Sequence, residues 1–246
     1  MSILVPYHQD ERLPDLAAEL PGGWARTVVG AELPAGETGW ARLAPLYRAV
    51  ADAVVEHQPK VVVSGCCCVS LGVLAGLQRC GIEAGVVWFD AHGDVQTMET
   101  STSGYLGGMP LRIMAGYRPE LVADAIGLRA VPEERLTLVG ARDLDPPERE
   151  YLSSARLQTS TVEEISVPEG PVLLHVDLDV VDAGELPGLR FPVPGGPSAA
   201  AVVDAVHRIR QSGRVVTLDL ACTWDPAAPD PAGARARLVA DLLGEV

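Results

Sequence analysis

Short apolar runs bounded by turn residues alternate along this chain with longer amphipathic stretches. The runs fall at 3–5, 60–64, 85–89, 136–139, 172–176 and 215–220. They are near-continuous in valine and leucine rather than alternating with polar residues, which predicts parallel strands covered on both faces. Helix-like stretches lie between them, at 40–57, 70–79, 119–126, 198–211 and 233–243. In the first of these Leu43, Leu46, Tyr47, Val50 and Val54 recur at spacings of three and four, forming one apolar stripe. Strand–helix–strand alternation without a linker or internal repeat predicts one α/β domain over residues 1–246, layered α/β/α. Residues 97–108 and 182–197 are the two long irregular stretches, and loops of that length in a compact domain carry function.

Composition changes this picture little. Hydrophobic residues make up 48% of the 246, enough for a core and incompatible with a disordered chain. The net charge of −14 argues against nucleic acid or anionic membrane as a partner. No apolar run approaches the ~18 residues needed to cross a bilayer, and the amino terminus lacks the basic and apolar segments of a signal peptide. Five cysteines, three of them consecutive at 66–68, fit no disulfide framework. These features predict a soluble, reduced, cytoplasmic protein.

The chemistry concentrates after two strands. Asp90, His92 and Asp94 follow the 85–89 run at alternate positions, so in extended backbone all three share one face. Asp177 and Asp179 end the 172–176 run in the same way. In a parallel sheet both groups emerge at the carboxyl edge, where ligands bind. Carboxylates converging there repel unless divalent cations neutralise them, and oxygen ligands with one imidazole suit manganese or a similar ion. Loop-capping aspartates explain one such group more readily than two. There is no GxGxxG, Walker-type loop or nucleophile elbow, so nucleotide binding and serine-hydrolase chemistry have no support.

The segments Asp90-Ala91-His92-Gly93-Asp94, Gly140-Ala141-Arg142-Asp143-Leu144-Asp145 and Asp177-Leu178-Asp179-Val180-Val181-Asp182 resemble, in order and spacing, those of the ureohydrolase superfamily of arginase, agmatinase and formiminoglutamase. The resemblance covers nearly the whole chain. It implies a single arginase-like domain, three-layer α/β/α with a mostly parallel central sheet of about eight strands. It also implies a binuclear Mn2+ site hydrolysing a guanidine- or amidine-type C–N bond on a small-molecule guanidino or amidino amino-acid substrate, and a homo-oligomer, trimer or hexamer. By position, Asp90 and Asp177 would bridge the metals, Asp94 would bind the first, and His92 and Asp179 the second. Catalytic roles fall to Asp94 and Asp177.

Three positions depart from the family pattern. Cys67 stands where a histidine binds the first metal; a thiolate ligand would favour zinc or iron over manganese, and a neutral thiol would leave that site weak. Either way the first site is expected to hold manganese weakly or to take another divalent metal. Strand-like alternation would put Cys66 and Cys68 on the side away from Cys67. Gly107 stands where arginases carry a proton-shuttling histidine. Cys222 stands where they carry a glutamate that holds the guanidinium, so a less basic group of the Nω-hydroxyarginine type is expected ahead of arginine itself. Gln96, Ser101 and Ser103 match positions that grip the substrate carboxylate, Asp145 and Glu148 match positions that hold its amino group, and Ser198 matches a hydroxyl near the reacting group. Each is also a plausible turn former or helix cap, Ser198 above all. His175 reads as a core histidine or a support to the site, and His8 as a surface or substrate-loop residue. The alternative function is a catalytically inactive scaffold that binds metal or ligand.

Overall fold

The computed structural model describes residues 1–22, 24, 26–225 and 227–244, with the side chain of Glu19 outside that set. Its strands are β1 (Ser2–Val5), β2 (Tyr7–His8), β3 (Glu11–Arg12), β4 (Arg26–Val28), β5 (Val61–Ser64), β6 (Gly85–Phe89), β7 (Leu136–Val139), β8 (Gln158–Ser160), β9 (Val172–Asp177) and β10 (Val215–Ala221). Eight of them form one sheet in the order β4-β1-β5-β10-β9-β6-β7-β8, and every neighbouring pair is parallel. β2 and β3 make a separate antiparallel hairpin.

Alternate residues of the central strands feed two apolar layers. Val86 and Trp88 face the layer built on α1 (Gly39–His57) and α2 (Val69–Arg79). Val87 and Phe89 face the layer of α6 (Ala199–Gln211) and α7 (Ala234–Leu243). That is the three-layer arrangement expected of a parallel sheet whose strands are apolar throughout. Smaller helices α3 (Pro110–Met114), α4 (Ala123–Ile126) and α5 (Pro146–Ser154) fill the connections. Among the described residues no helix is long and apolar enough to cross a membrane.

Three local expectations are corrected. The strands β4 and β8 have no apolar run, because both sit at sheet edges where most side chains meet solvent. The single helix expected over 119–126 is a 3-10 turn, Pro119–Leu121, followed by the one-turn α4; Val122 between them departs from helical angles at φ −155°. The expected helix from 198 begins at Ala199, with Ser198 as its N-cap accepting from the Ala201 N–H.

The register of the four central strands decides where the chemistry lies. Ser64 pairs with Ala221, and Ala221 with Asp177, while Val176 pairs with Phe89. So β5, β10, β9 and β6 end level, and the residues just past each are delivered to one edge.

Packing of α1 on α2 depends on close backbone approach. A Cβ at Gly76 would lie 2.5 Å from the Val54 Cβ and 2.8 Å from the Ala51 carbonyl oxygen, both on α1. Overpacking of this kind costs about 1–3 kcal/mol. Gly76→Ala is therefore expected to lower the unfolding free energy by about that amount, as read by urea denaturation with an unchanged m-value.

Candidate metal centre

At that level edge, Asp90 and Asp177 stand just past β6 and at the end of β9, each no more than 2% exposed. Asp179 follows in a single 3-10 turn, Leu178–Val180, capped by Asp177, whose Oδ1 accepts from the Asp179 N–H at 3.2 Å. The Asp179 carboxylate in turn accepts from the Ala91 N–H at 3.3 Å, tying the two loops together. His92 Nδ1 lies 3.1 Å from Asp90 and 3.3 Å from Asp179. These three residues place one ligand atom each within 4.8 Å of one another.

Asp94 completes the group by a route the expected alternation does not describe. Its φ of +54° is left-handed, a conformation aspartate tolerates better than most residues, so the backbone turns there instead of continuing extended. The carboxylate is nonetheless buried against the same cavity, and its Oδ2 has no hydrogen-bond partner.

Burial pushes the Asp94 and Asp177 carboxyls well above the usual range, and the neighbouring aspartates push in the same direction. Burial and the Asp90 charge hold Asp179 at about 6. Burial also works against ionisation of Asp90, but its hydrogen bonds and ion pair with His92 win and hold it below the usual value. His92 itself is opposed by burial and pushed up to about 12 by Asp179 and Asp90. One imidazole is thus left to balance four buried carboxyls, and among the described residues lining the cavity there is no lysine or arginine.

A surrounding set of donors fixes these carboxylates. Trp88 Nε1 donates to Asp90 Oδ2 at 3.2 Å, and the Thr223 hydroxyl donates to Asp177 Oδ1. The Trp88 ring stacks on His175 at 3.7 Å between centroids. His175 Nδ1 is 3.0 Å from Asp219 and 2.8 Å from the Ser70 hydroxyl. Serine, histidine and aspartate meet here, but all three are fully buried. No substrate reaches them, and His175 is a core residue beneath the site.

Cys66, Cys67 and Cys68 do not alternate. The chain leaves β5 at Ser64 and curls into α2, Cys68 already having helical angles. All three Sγ atoms therefore gather within 4.8 Å, buried. Hydrogen bonding with Cys66 and Cys68, then burial, raises the Cys67 thiol, which donates to the Gly107 carbonyl at 3.4 Å.

The cavity has a volume of about 180 Å³, and its rim is formed by Gln96, Ser101, Ser103, Asp145 and Glu148. Gln96 donates to Asp145 at 2.7 Å. Glu148 accepts from the Asp145 and Val95 N–H groups at 3.0 and 3.3 Å, so the capping box of α5 also holds the loop after β6. Ser101 and Ser103 accept from the Gly104 and Tyr105 N–H groups of their own loop.

Two expected positions lie elsewhere. Ser198 caps α6, and Cys222 is buried in the apolar layer on the far face of the sheet. Neither lines the cavity; on β10's extension that place is taken by Thr223. Tyr105 and Phe191 also line it and carried no motif in the sequence. The signal available for Thr223 was its position two residues past the end of β10.

The family model for the arginase family matches residues 32–246. The chain belongs to the arginase family. It is 34% identical over 191 residues to an arginase of Bacillus subtilis, covering 71% of this chain and 64% of that protein. It is 30% identical over 260 residues to an N(omega)-hydroxy-L-arginine amidinohydrolase of Streptomyces lavendulae, covering 94% and 93%. The arginase of Bacillus caldovelox shares the fold, with a TM-score of 0.81 at 23% identity over 100% and 98% of the two chains. A formimidoylglutamase from Bacillus subtilis does so at 0.66 and 15% identity, over 98% and 84%. The arginase-family chain thus spans just under two-thirds of the first of these relatives and nearly all of the second.

Cations that bind only the folded state stabilise it by about 2.7 kcal/mol at one hundred times their dissociation constant. Adding Mn2+ to chelator-treated protein is expected to raise its melting temperature. Asp94→Asn should abolish most of that rise without lowering the melting temperature of the metal-free protein. A metal-induced rise unchanged in the variant would remove Asp94 from the centre.

Proposed function

We propose that this protein is a metal-dependent hydrolase that cleaves a C–N bond of a guanidine, hydroxyguanidine or amidine group on an amino-acid-like substrate. The observation that carries the reading is one cavity lined by Asp90, His92, Asp94, Asp177 and Asp179 on its floor and by Gln96, Asp145 and Glu148 on its rim. The floor fits divalent cations. The orphaned, buried Asp94 Oδ2 and the lack of a lysine or arginine among the described lining residues leave its charge matched only by the His92 imidazole.

Asp90, His92, Asp94, Asp177 and Asp179 would hold two divalent ions, manganese by family, with Cys67 at the margin of the first. When bound, such a pair supplies Lewis acidity that makes water ionise near neutral pH. The chain's own residues do the rest. Thr223 and Trp88 keep the Asp177 and Asp90 carboxylates in one orientation. Asp145 and Glu148 offer negative charge for an α-amino group at the rim, and Gln96, Ser101 and Ser103 offer polar atoms for the carboxylate. Binding both ends of an amino acid would fix its far end over the floor.

Substrate choice follows from what is missing. No acidic side chain from β10 or its extension faces the cavity, since Cys222 points into the opposite apolar layer and Thr223 is taken by Asp177. A fully charged guanidinium would find no carboxylate from β10 to pair with there. An N-hydroxylated guanidine is less basic, and the Streptomyces lavendulae relative carries that specificity in its name. Cys67, holding its proton against Gly107, supports a first metal bound more weakly than the second.

Urea, hydroxyurea and ammonia release from arginine, Nω-hydroxyarginine, agmatine and formiminoglutamate tests the reading. Nω-hydroxyarginine is expected to give the highest kcat/KM, and metal analysis less than two tightly held manganese ions per chain. Cys67→His should raise manganese content and arginase activity together. Metal-loaded protein inert toward all four compounds would replace this reading with a binding scaffold.

A further inference from the structure

Position 107 presents no side chain to the cavity, yet the space beside it is filled. A Cβ built there would sit 2.5 Å from Tyr105 Cζ and 2.6 Å from its hydroxyl oxygen. The phenol of Tyr105 thus occupies the volume into which any side chain at 107 would grow, and it lines the same cavity as Cys67 and Asp94. Its ring leans on Phe191 at 4.9 Å, and Phe191 meets His92 edge-on at 6.2 Å.

The hydroxyl has a defined partner. It lies 3.1 Å from Nε2 of His8, whose Nδ1 lies 2.8 Å from the Gly65 carbonyl oxygen. A carbonyl only accepts, so Nδ1 carries a hydrogen and Nε2 is the nitrogen that exchanges a proton with Tyr105. His8 is buried, at 7% exposure, not the surface residue that one reading of the sequence allowed. Its seat depends on a residue without a side chain, since a Cβ at Gly65 would meet the Tyr7 carbonyl oxygen at 2.9 Å and Leu13 Cδ1 at 2.5 Å. The β2–β3 hairpin can therefore lie against the turn after β5 and present the imidazole to the phenol.

We infer that Tyr105, backed by His8, is the proton-transfer group of this cavity and stands in for the side chain absent at position 107. The inference rests on the hydrolase reading above. As the C–N bond breaks, its electron pair stays on the leaving nitrogen, which takes the phenolic hydrogen of Tyr105. The Tyr105 oxygen recovers a hydrogen through Nε2 of His8, whose Nδ1–H stays on Gly65, from the proton that the attacking water gives up, so that Tyr105 and His8 both end as they began. Tyr105 touches the substrate in this scheme; His8 acts through it as a positioning and relay residue.

Two measurements test this. The first needs no substrate: in 15N spectra of histidine-labelled protein, Tyr105→Phe should move the His8 Nε2 resonance and leave Nδ1 in place. An unmoved Nε2 would overturn the dyad whatever the protein hydrolyses. The second is kinetic, on metal-loaded protein with the substrate that the wild type turns over fastest. Tyr105→Phe should lower kcat by roughly 10²–10⁴-fold, the range of a lost general acid, while KM changes by less than about threefold, as for an interaction made only in the transition state. His8→Ala should lower kcat in the same direction, with metal content unchanged in both variants. Full kcat in Tyr105→Phe would overturn the inference and leave the hydrolase reading intact. A wild type inert toward every guanidino and amidino compound would instead overturn that reading, and the proton-transfer role with it.

Discussion

The constraint on which the rest of the structure depends is the mutual repulsion of carboxylates held out of water at one edge of the sheet. Asp90, Asp94, Asp177 and Asp179 are each 4% exposed or less. Transferring an ionised carboxylate into such a place costs several kcal/mol per ion even after relaxation. A parallel sheet concentrates them because β5, β10, β9 and β6 end level. Everything close by is arranged to tolerate the charge. Trp88 and Thr223 donate to it, and the Ala91 and Asp179 N–H groups do the same. Arg142 donates to the Val180 carbonyl at 3.0 Å and the Val193 carbonyl at 2.8 Å, so it clamps the loop that carries Asp179 without entering the cavity. Such a cluster is a poor way to stabilise a fold and a good way to hold cations.

The rim obeys a different economy, in which one side chain serves both the loop and the cavity. Glu148 caps α5 and ties down Val95, and Gln96 bridges Asp145 and Thr100. A ligand that competes for these atoms would have to exchange hydrogen bonds rather than create them. That favours a rim already shaped for its ligand over one ordered by it.

The layered fold was legible because its central strands are apolar on both faces and its helices carry an apolar stripe; Val172 to Val176 and the stripe from Leu43 to Val54 are where those patterns are clearest. The edge strands β4 and β8 were not, because half-solvated strands lose the apolar run that marks them. In the site, Asp90, His92, Asp177 and Asp179 were legible from spacing after a strand. Period-two reasoning stops where the strand does. It failed at Cys66–Cys68, where the chain curls into α2, and it missed the left-handed turn at Asp94. Tyr105 was invisible because its partner His8 lies 97 residues away, brought close only by the hairpin packing on Gly65.

Two of the departures from the family pattern are a single physical unit. The Cys67 thiol donates to the carbonyl of Gly107, and the Cys68 thiol to that of Leu106 at 3.6 Å. The turn that lacks a side chain at 107 is thereby latched to the start of α2 at Cys67 and Cys68. A histidine at 67 would be larger and would displace that latch. A histidine at 107 would displace Tyr105, whose hydroxyl already fills its space. The two positions are therefore expected to be non-additive when changed together, as contacting residues are. The phenol, the thiol and the bare turn make one packed unit at the same cavity, and in the proposed hydrolase proton traffic would run through Tyr105 and His8 and not through residue 107.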